Sequence, residues 1–260
     1  MTPSADLTFA HALADAAGKA IRPLFRTVLD QEDKADASPV TVADRAAEAA
    51  MRTLITAMRP DDGIIGEEYG VERGQASRVW VLDPIDGTTS FAAGRPIFGT
   101  LIALIEDGWP VLGIIDQCIA GERWAGALGQ PTTFNGTPVR TRQARSLDMM
   151  TLATSGPHYF DAHDGEHFMG LAAKTAHRRM IFGGDCYNYG LVASGHIDLV
   201  VEAGLKLHDF AALVPIVEGA GGQMCDWAGD PINADSSGHV IALGDPARLD
   251  DVLAALACHH

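Results

Sequence analysis

The run Trp80-Val81-Leu82-Asp83-Pro84-Ile85-Asp86-Gly87-Thr88-Thr89-Ser90-Phe91 constrains this chain more than any other stretch. An apolar strand ends in two carboxylates three residues apart and then in a tight turn. Pro84 and Gly87 bend the backbone so that Asp83 and Asp86 can converge, and the turn exposes N–H groups and hydroxyls where a phosphate can lie. Two other segments close on acids. Gly63-Ile64-Ile65-Gly66-Glu67-Glu68 is a short apolar run, so a neighbouring strand can bring one of its glutamates beside Asp83. In Lys206-Leu207-His208-Asp209-Phe210-Ala211-Ala212-Leu213, Asp209 opens an apolar helix expected to reach Gly219 and stop at Gly221-Gly222.

Three separated acids of this kind suit Mg²⁺, which takes carboxylate and water oxygens; two such ions sharing a carboxylate can hold both the attacking and the leaving oxygen of a phosphoryl transfer. Each segment also has a plainer reading. Asp-Pro and Asp-Gly are ordinary turn dipeptides, Glu67-Glu68 is also what a solvated strand end looks like, and Asp209 suits a helix start. Thr41 with Asp44 three residues on resembles a helix N-terminal cap.

The 260 residues, 47% hydrophobic, suffice for one large domain or two small ones. With 19 basic and 34 acidic residues the formal charge is −15, which makes nucleic acid and anionic membrane poor partners. Phosphate substrates then need cations to reverse the local sign. Cys118, Cys186, Cys225 and Cys258 are scattered without a Cys-x-x-Cys pair, as fits a reducing cytoplasm. No segment approaches the roughly 18 consecutive apolar residues of a membrane span, and no leader-like start is evident.

Helical spacing of Leu7, Ala10, Leu13, Ala17, Ala20, Ile21, Leu24 and Phe25 predicts a helix over residues 5–28. Residues 30–40 read as a loop. A second helix is expected from about Val42 to Met58 with Ala46, Ala50, Leu54 and Ala57 inward. Strand-like runs follow at Ile64-Ile65, Val79 to Leu82, Gly99 to Ile105, Val111 to Asp116 and Arg123 to Ala127, predicting a mostly antiparallel sheet with the helix pair on one side. After about residue 143 strands and helices alternate. Strands are expected at 149–154, 180–182, 197–201 and 239–243, and helices at 161–177, 187–193, 209–219 and 247–257. The expectation is an N-terminal α+β half over residues 1–143 and a C-terminal α/β half over residues 144–260.

Glu67-Glu68, the run from Asp83 to Thr89, Asp209-Phe210-Ala211-Ala212 and the upstream stretch Lys34 to Asp44 together resemble the signature segments of the inositol monophosphatase family, in family order across nearly the whole chain. The resemblance implies a five-layer α-β-α-β-α sandwich, a homodimer, and two or three Mg²⁺ ions. It implies metal ligation by Glu67, Asp83, the Ile85 carbonyl, Asp86 and Asp209, with Asp83 bridging. It further implies phosphate contacts at Gly87 and Thr88 and a water-activating pair of Asp44 and Thr88. Glu68 is a candidate for a metal-linked water, although neighbours on a strand face opposite ways. Lys34 is a candidate phosphate partner or a solvated loop lysine.

The implied reaction is hydrolysis of a small phosphate monoester without a covalent nucleophile. Met180 to Cys186 departs from the inositol-specific pattern: an arginine is lost and Asp185 appears. Glu202, seven residues before Asp209, matches the position that contacts the leaving group. Asp185 and Glu202 would make a doubly negative pocket with no nearby cation, suited to an aminated or imidazole-bearing alcohol, and Asn188 would face it one turn on. Gly183 to Gly190, Glu202 to Lys206 and Gly121 to Trp124 resemble the histidinol-phosphate phosphatase branch, whose substrate is L-histidinol phosphate in histidine synthesis. Asp185 as a simple helix cap stays open. The alternatives are inositol-1-monophosphatase or broad-specificity sugar phosphatase activity, and a catalytically silent phosphate-binding scaffold. A zinc reading rests on His158, His163 and His167, but no Glu completes the His-Glu-x-x-His pattern, and the segment looks like a solvated helix start.

Overall fold

The computed structural model describes residues 3–27, 39–144 and 146–257. Residues 30–38 of the loop expected at 30–40, with Lys34, and the terminal Cys258, His259 and His260 lie outside the described residues, while Pro39 and Val40 already belong to the second helix, which starts three residues before the expected Val42. The first part of the chain forms α1 (Pro3–Ile21), α2 (Pro39–Met58), β1 (Gly63–Gly66), β2 (Gly70–Glu72), β3 (Arg78–Asp86), α3 (Thr88–Ala92), β4 (Gly99–Glu106), β5 (Trp109–Gln117), β6 (Glu122–Ala127), β7 (Thr133–Phe134) and β8 (Thr137–Pro138). There follow β9 (Leu152–Thr154), α4 (Ala162–Lys174), β10 (Met180–Phe182), α5 (Asp185–Ala193), β11 (Leu199–Glu202), α6 (Leu207–Phe210), α7 (Leu213–Gly219), β12 (Gln223–Cys225), β13 (Val240–Leu243) and α8 (Leu249–Leu256).

Strands β1 to β8 form an eight-stranded sheet in the order β2-β1-β3-β4-β5-β6-β7-β8, antiparallel except where β1 runs parallel to β3. A five-stranded sheet has the order β10-β9-β11-β13-β12. Three cores fill the four interfaces between five layers. Phe9, Leu13, Met51 and Ile55 of α1 and α2 pack on Trp80, Leu82 and Ile102. The opposite face of that sheet, with Val79, Val81 and Leu101, meets α5 and α7 through Tyr189, Leu213 and Ile216, and these also cover Val200 and Ala242 of the second sheet. Leu152, Leu199 and Ile241 then pack against Phe168 of α4 and Val252 of α8. The result is an α-β-α-β-α sandwich. Because both faces of the first sheet are covered, β3 reads as a continuous apolar run rather than an alternating one; the helix pair α1 and α2 lies on one side, as expected, and the middle helices cover the other.

Other corrections have local causes. The first helix ends at Ile21, and a 3₁₀ turn over Arg22–Leu24 follows, because Pro23 favours the start of a new helical turn over the interior of the old one. The inward face of α2 is Ala43, Ala47, Met51 and Ile55, together with the acids Asp44 and Glu48. Ala46 and Ala57 are exposed, and Ala50 and Leu54 only half-buried. Two buried carboxylates on the true inner face hid its period. The helix expected at 209–219 is divided into α6 and α7 by a turn at Ala211 and Ala212. Pro215 brings no N–H for the Ala211 carbonyl, so the i,i+4 ladder is interrupted there.

Helix α7 lies directly on strand backbones. A Cβ on Gly113 would stand 1.8 Å from the Ala212 carbonyl oxygen, and one on Gly126 2.4 Å from that of Pro215. Gly113→Ala must push helix and sheet apart, and should lower unfolding free energy by at least about 2 kcal/mol. Gly165→Ala in α4, whose added methyl would meet nothing nearer than Phe160 at 3.9 Å, should be neutral or stabilising by up to about 1 kcal/mol. Urea unfolding of the two variants checks the contrast, and equal effects would mean that Gly113 does not set the helix–sheet distance.

Candidate active site

The acidic end of β3 is shaped by a β-bulge. Asp83 pairs with Leu101 and Asp86 with Gly99, so three residues of β3 advance while β4 advances two. Residues three apart on a regular strand face opposite sides, and one extra residue restores them to the same side. Core membership shows the switch: Ile85 joins Trp80 and Leu82 on one face, leaving Asp86 on the face of Asp83. Pro84 is tolerated because the bulge asks no ladder hydrogen from it, and its carbonyl accepts the buried Thr100 hydroxyl at 2.8 Å.

The other acids come to this point from separate elements. Asp209 sits in the first turn of α6, where its Oδ2 accepts the Lys206 N–H at 2.7 Å. Glu67 is on the turn between β1 and β2, held from beneath by buried Glu48, whose carboxylate accepts the N–H groups of Glu68 (2.7 Å) and Tyr69 (3.2 Å) and the Arg52 Nε hydrogen (2.7 Å). One ligand atom from each of Asp83, Asp86 and Asp209 lies within 4.8 Å of the others, and the same holds for Glu67, Asp83 and His208. Asp83 thus belongs to both groups. Its Oδ1 and that of Asp44 are buried and have no hydrogen-bond partner among the described residues.

Such crowding is costly for the anions. Burial, then the charges of Asp86, Glu67 and Asp209, pushes Asp83 well above the usual carboxylate range. Burial, then Asp185 and Asp209, does the same to Asp86, although Asp86 Oδ2 accepts the Cys186 N–H at 2.5 Å. Asp44 is raised to about 8 by burial and by Glu67, Glu68 and Glu48. A set of converging, partly unpartnered carboxylate oxygens is the donor chemistry of a hard divalent cation, so the residues present fit Mg²⁺.

The remaining candidates are distributed unevenly. Gly87 and Thr88 open α3 at the edge of a cavity of about 260 Å³ that Glu67, Asp83, Asp86 and Asp209 also line. Gly87 has φ +87°, and a Cβ there would stand 2.7 Å from Asp185 Oδ2, so both conformation and space require glycine. The Thr88 hydroxyl donates to the Ile85 carbonyl at 3.3 Å, and no direct hydrogen bond joins it to Asp44 among the described residues. Asp44 lies in the second turn of α2 and is not a cap. Glu68 does not line the cavity; its carboxylate pairs with Arg45 at 3.1 Å. Asn188 also stands outside, its amide donating to the Gly183 carbonyl at 3.1 Å and bracing the loop before α5. His158 lies against Tyr159 with its ring tilted by 36° and does not line the cleft of His163 and His167, and among the described residues the three do not form one ligand group.

Asp185 and Glu202 both line the cavity. Asp185 is the first residue of α5 at φ +43°, while Gly184 holds the cap position without a side-chain bond, so the capping role is not what places this acid. Burial raises Asp185, offset by hydrogen bonds from Ser155 and Ser90 and by Arg95. Arg95 corrects the expectation of no nearby cation: it follows α3, remote in sequence, and its guanidinium packs by Gly183. Glu202 is raised by burial and accepts the Ser155 N–H at 2.7 Å and the Tyr189 hydroxyl at 2.9 Å. Sequence reasoning missed Ser155, Tyr159, Tyr189, Arg95, His208 and Glu48. Only His208, adjacent to Asp209, carried a local signal.

The family model described as "Inositol monophosphatase family" matches residues 3–260. The chain is 46% identical over 258 residues to the Arabidopsis thaliana "Bifunctional phosphatase IMPL2, chloroplastic", covering 96% of this chain and 74% of that one. It is 38% identical over 244 residues to a histidinol-phosphatase of Chlorobaculum parvum, covering 93% of each. The structure of an inositol monophosphatase from Zymomonas mobilis superposes with a TM-score of 0.93 at 54% identity, over 98% of this chain and 99% of the other. Sequence and fold agree with the acid-lined cavity at the end of β3: this chain belongs to the inositol monophosphatase family.

Proposed function

We propose that this chain is a Mg²⁺-dependent histidinol-phosphate phosphatase, hydrolysing L-histidinol phosphate to L-histidinol and phosphate. The observation that carries the substrate choice is a single cavity joining the metal-type carboxylates to a second acidic wall, Asp185 and Glu202, with the rings of Tyr159 and Phe160 beside it. A phosphate fits the first end and a cationic amine or imidazole the second. The histidinol-phosphatases among the relatives support this choice. Inositol 1-phosphate is the second reading, favoured by the 54% identity to the Zymomonas mobilis inositol monophosphatase.

Glu67, Asp83, the Ile85 carbonyl, Asp86 and Asp209 would hold two or three cations. When bound, these supply positive charge to the phosphoryl oxygens and acidify a water. Asp44 takes the proton of the attacking water, and the Thr88 hydroxyl orients that water. N–H groups at Gly87 and Thr88 face charge on the equatorial phosphate oxygens. A bond forms between the water oxygen and phosphorus as the ester P–O bond breaks, and the departing alkoxide takes up a proton from solvent. Asp185 and Glu202 position the leaving group. Family likeness supports a homodimer and a division of labour in which residues 144–260 choose the substrate, and the scattered cysteines fit a reducing cytoplasm. Among the described residues no helix is long and apolar enough to cross a membrane.

Phosphate release from histidinol phosphate should require Mg²⁺ and stop on chelation; a silent scaffold would release none in either condition. Inositol 1-phosphate and fructose 1,6-bisphosphate should be poorer substrates, and the reverse order would overturn the choice. Asp185→Asn should lower kcat/KM for histidinol phosphate roughly 10- to 100-fold, the scale of a lost charged hydrogen bond, while a neutral polyol ester changes little. Equal losses on both would mean that Asp185 only shapes the loop.

The acid cluster also predicts a pH dependence. Asp44 is raised from 3.8 to about 8 in the folded, cation-free protein. Between these values the folded state holds a proton that the unfolded state has released, so stability falls as pH rises through this window. In chelator, thermal stability should decline from about pH 4 to pH 8, Asp44→Asn should flatten part of the decline, and Mg²⁺ should restore stability at the alkaline end. A flat profile in chelator would contradict the electrostatic account.

A further inference from the structure

Outside the lining of the active cavity, α4 and the end of α8 border a second cleft of about 490 Å³, lined by His163, Asp164, His167, Trp227 and His239. His163 and His167 are one helical turn apart on α4. Their rings cross at 82°, and their Nε2 atoms are 3.2 Å apart. The other ring nitrogen of His167, Nδ1, is 2.5 Å from the Leu256 carbonyl oxygen. A carbonyl only accepts, so Nδ1 carries a hydrogen, and the only nitrogen left to ligate, Nε2, faces His163. A backbone carbonyl fixing one nitrogen while the other stays free is the usual second layer around a metal-bound imidazole. The spacing fits as well. Two nitrogens each about 2.0–2.1 Å from one tetrahedral ion stand about 3.3 Å apart. A further imidazole waits on the same cleft, with His239 Nε2 3.0 Å from Asp164 Oδ2.

We propose that His163 and His167 form a two-point site on α4 for a borderline divalent transition-metal cation of the Zn²⁺ type, separate from the carboxylate cluster and braced by the Leu256 carbonyl of α8. Water completes the coordination. Imidazole nitrogen selects such ions over Mg²⁺, so the two sites sort cations by donor chemistry. The site is structural and takes no part in the hydrolysis, and it holds whichever phosphate ester the enzyme cleaves.

A shared hydrogen would also keep two imidazole nitrogens at this distance, and the test separates the two accounts. The full-length chain is prepared with Cys258→Ser, His259→Gln and His260→Gln, which removes the terminal donors, and is titrated with Zn²⁺ in excess Mg²⁺. The comparison chain adds His163→Gln and His167→Gln. Calorimetry should count one more Zn²⁺ equivalent in the first chain than in the second, and Mg²⁺-supported phosphate release should be the same in both before zinc is added. Side-chain ¹⁵N resonances of His163 and His167 in the first chain should shift on addition of Zn²⁺ and not of Mg²⁺. This reading needs no change at either histidine, so it decides even where the double substitution disturbs folding. Equal stoichiometry in two folded chains, or imidazole resonances that ignore Zn²⁺, would overturn the proposal in favour of a shared hydrogen alone.

Discussion

The extra residue in β3 between Asp83 and Asp86 is the constraint on which the site depends. Without it the two carboxylates would face opposite cores, one buried uncompensated among Trp80, Leu82 and the α1–α2 pair. With it, both face the middle helical layer, where α6 delivers Asp209 and the N-terminus of α5 delivers the Cys186 N–H. The bulge in turn relies on Thr100 of β4, whose hydroxyl holds the Pro84 carbonyl. A local irregularity in one strand thereby fixes which layer of the sandwich becomes chemically active.

The same geometry concentrates negative charge that protein groups only partly offset. Glu48 and Glu202 show how the fold deals with single buried acids: each is surrounded by donors, Glu48 by two backbone N–H groups and Arg52, Glu202 by Ser155 and Tyr189. Asp83 and Asp44 are treated differently, each keeping an oxygen with no partner among the described residues. Donors on a buried acid fix its orientation, whether it braces a turn as Glu48 does or lines the cavity as Glu202 does, while an oxygen left unpaired, as on Asp83 and Asp44, is available to something that arrives.

The features legible in the sequence were those whose signal is local. The run around Asp83 and Asp86, the separate element ends at Glu67 and at Asp209, the alternation after residue 143 and the buried face of α1 each show in local windows with a clear period or turn chemistry. What escaped was long-range or mixed in character. The inner face of α2 carries Asp44 and Glu48 among alanines, so hydrophobic periodicity pointed to the wrong side. Arg95 meets the loop before α5 only because α3 turns the chain across the seam. Ser155 and Tyr189 acquire their role from Glu202, which comes later in the chain. Asn188, placed in the pocket by counting one turn, instead bonds inward to Gly183.

The contact of α7 with Gly113 and Gly126 has a mechanical implication. At Gly113 and Gly126 no side chain separates the helical segment from the strand backbone, and these two points of direct contact, flanked by packed Leu213 and Ile216, block sliding of one over the other. Asp209, joined to α7 through the two-residue turn at Ala211 and Ala212, is therefore locked in register with the same sheet that carries Asp83 and Asp86. The distances among these acids are then as stiff as a packed backbone permits. Adaptation to different leaving groups must fall to the perimeter formed by Tyr159, Asp185 and Arg95, where side chains rather than main chain meet.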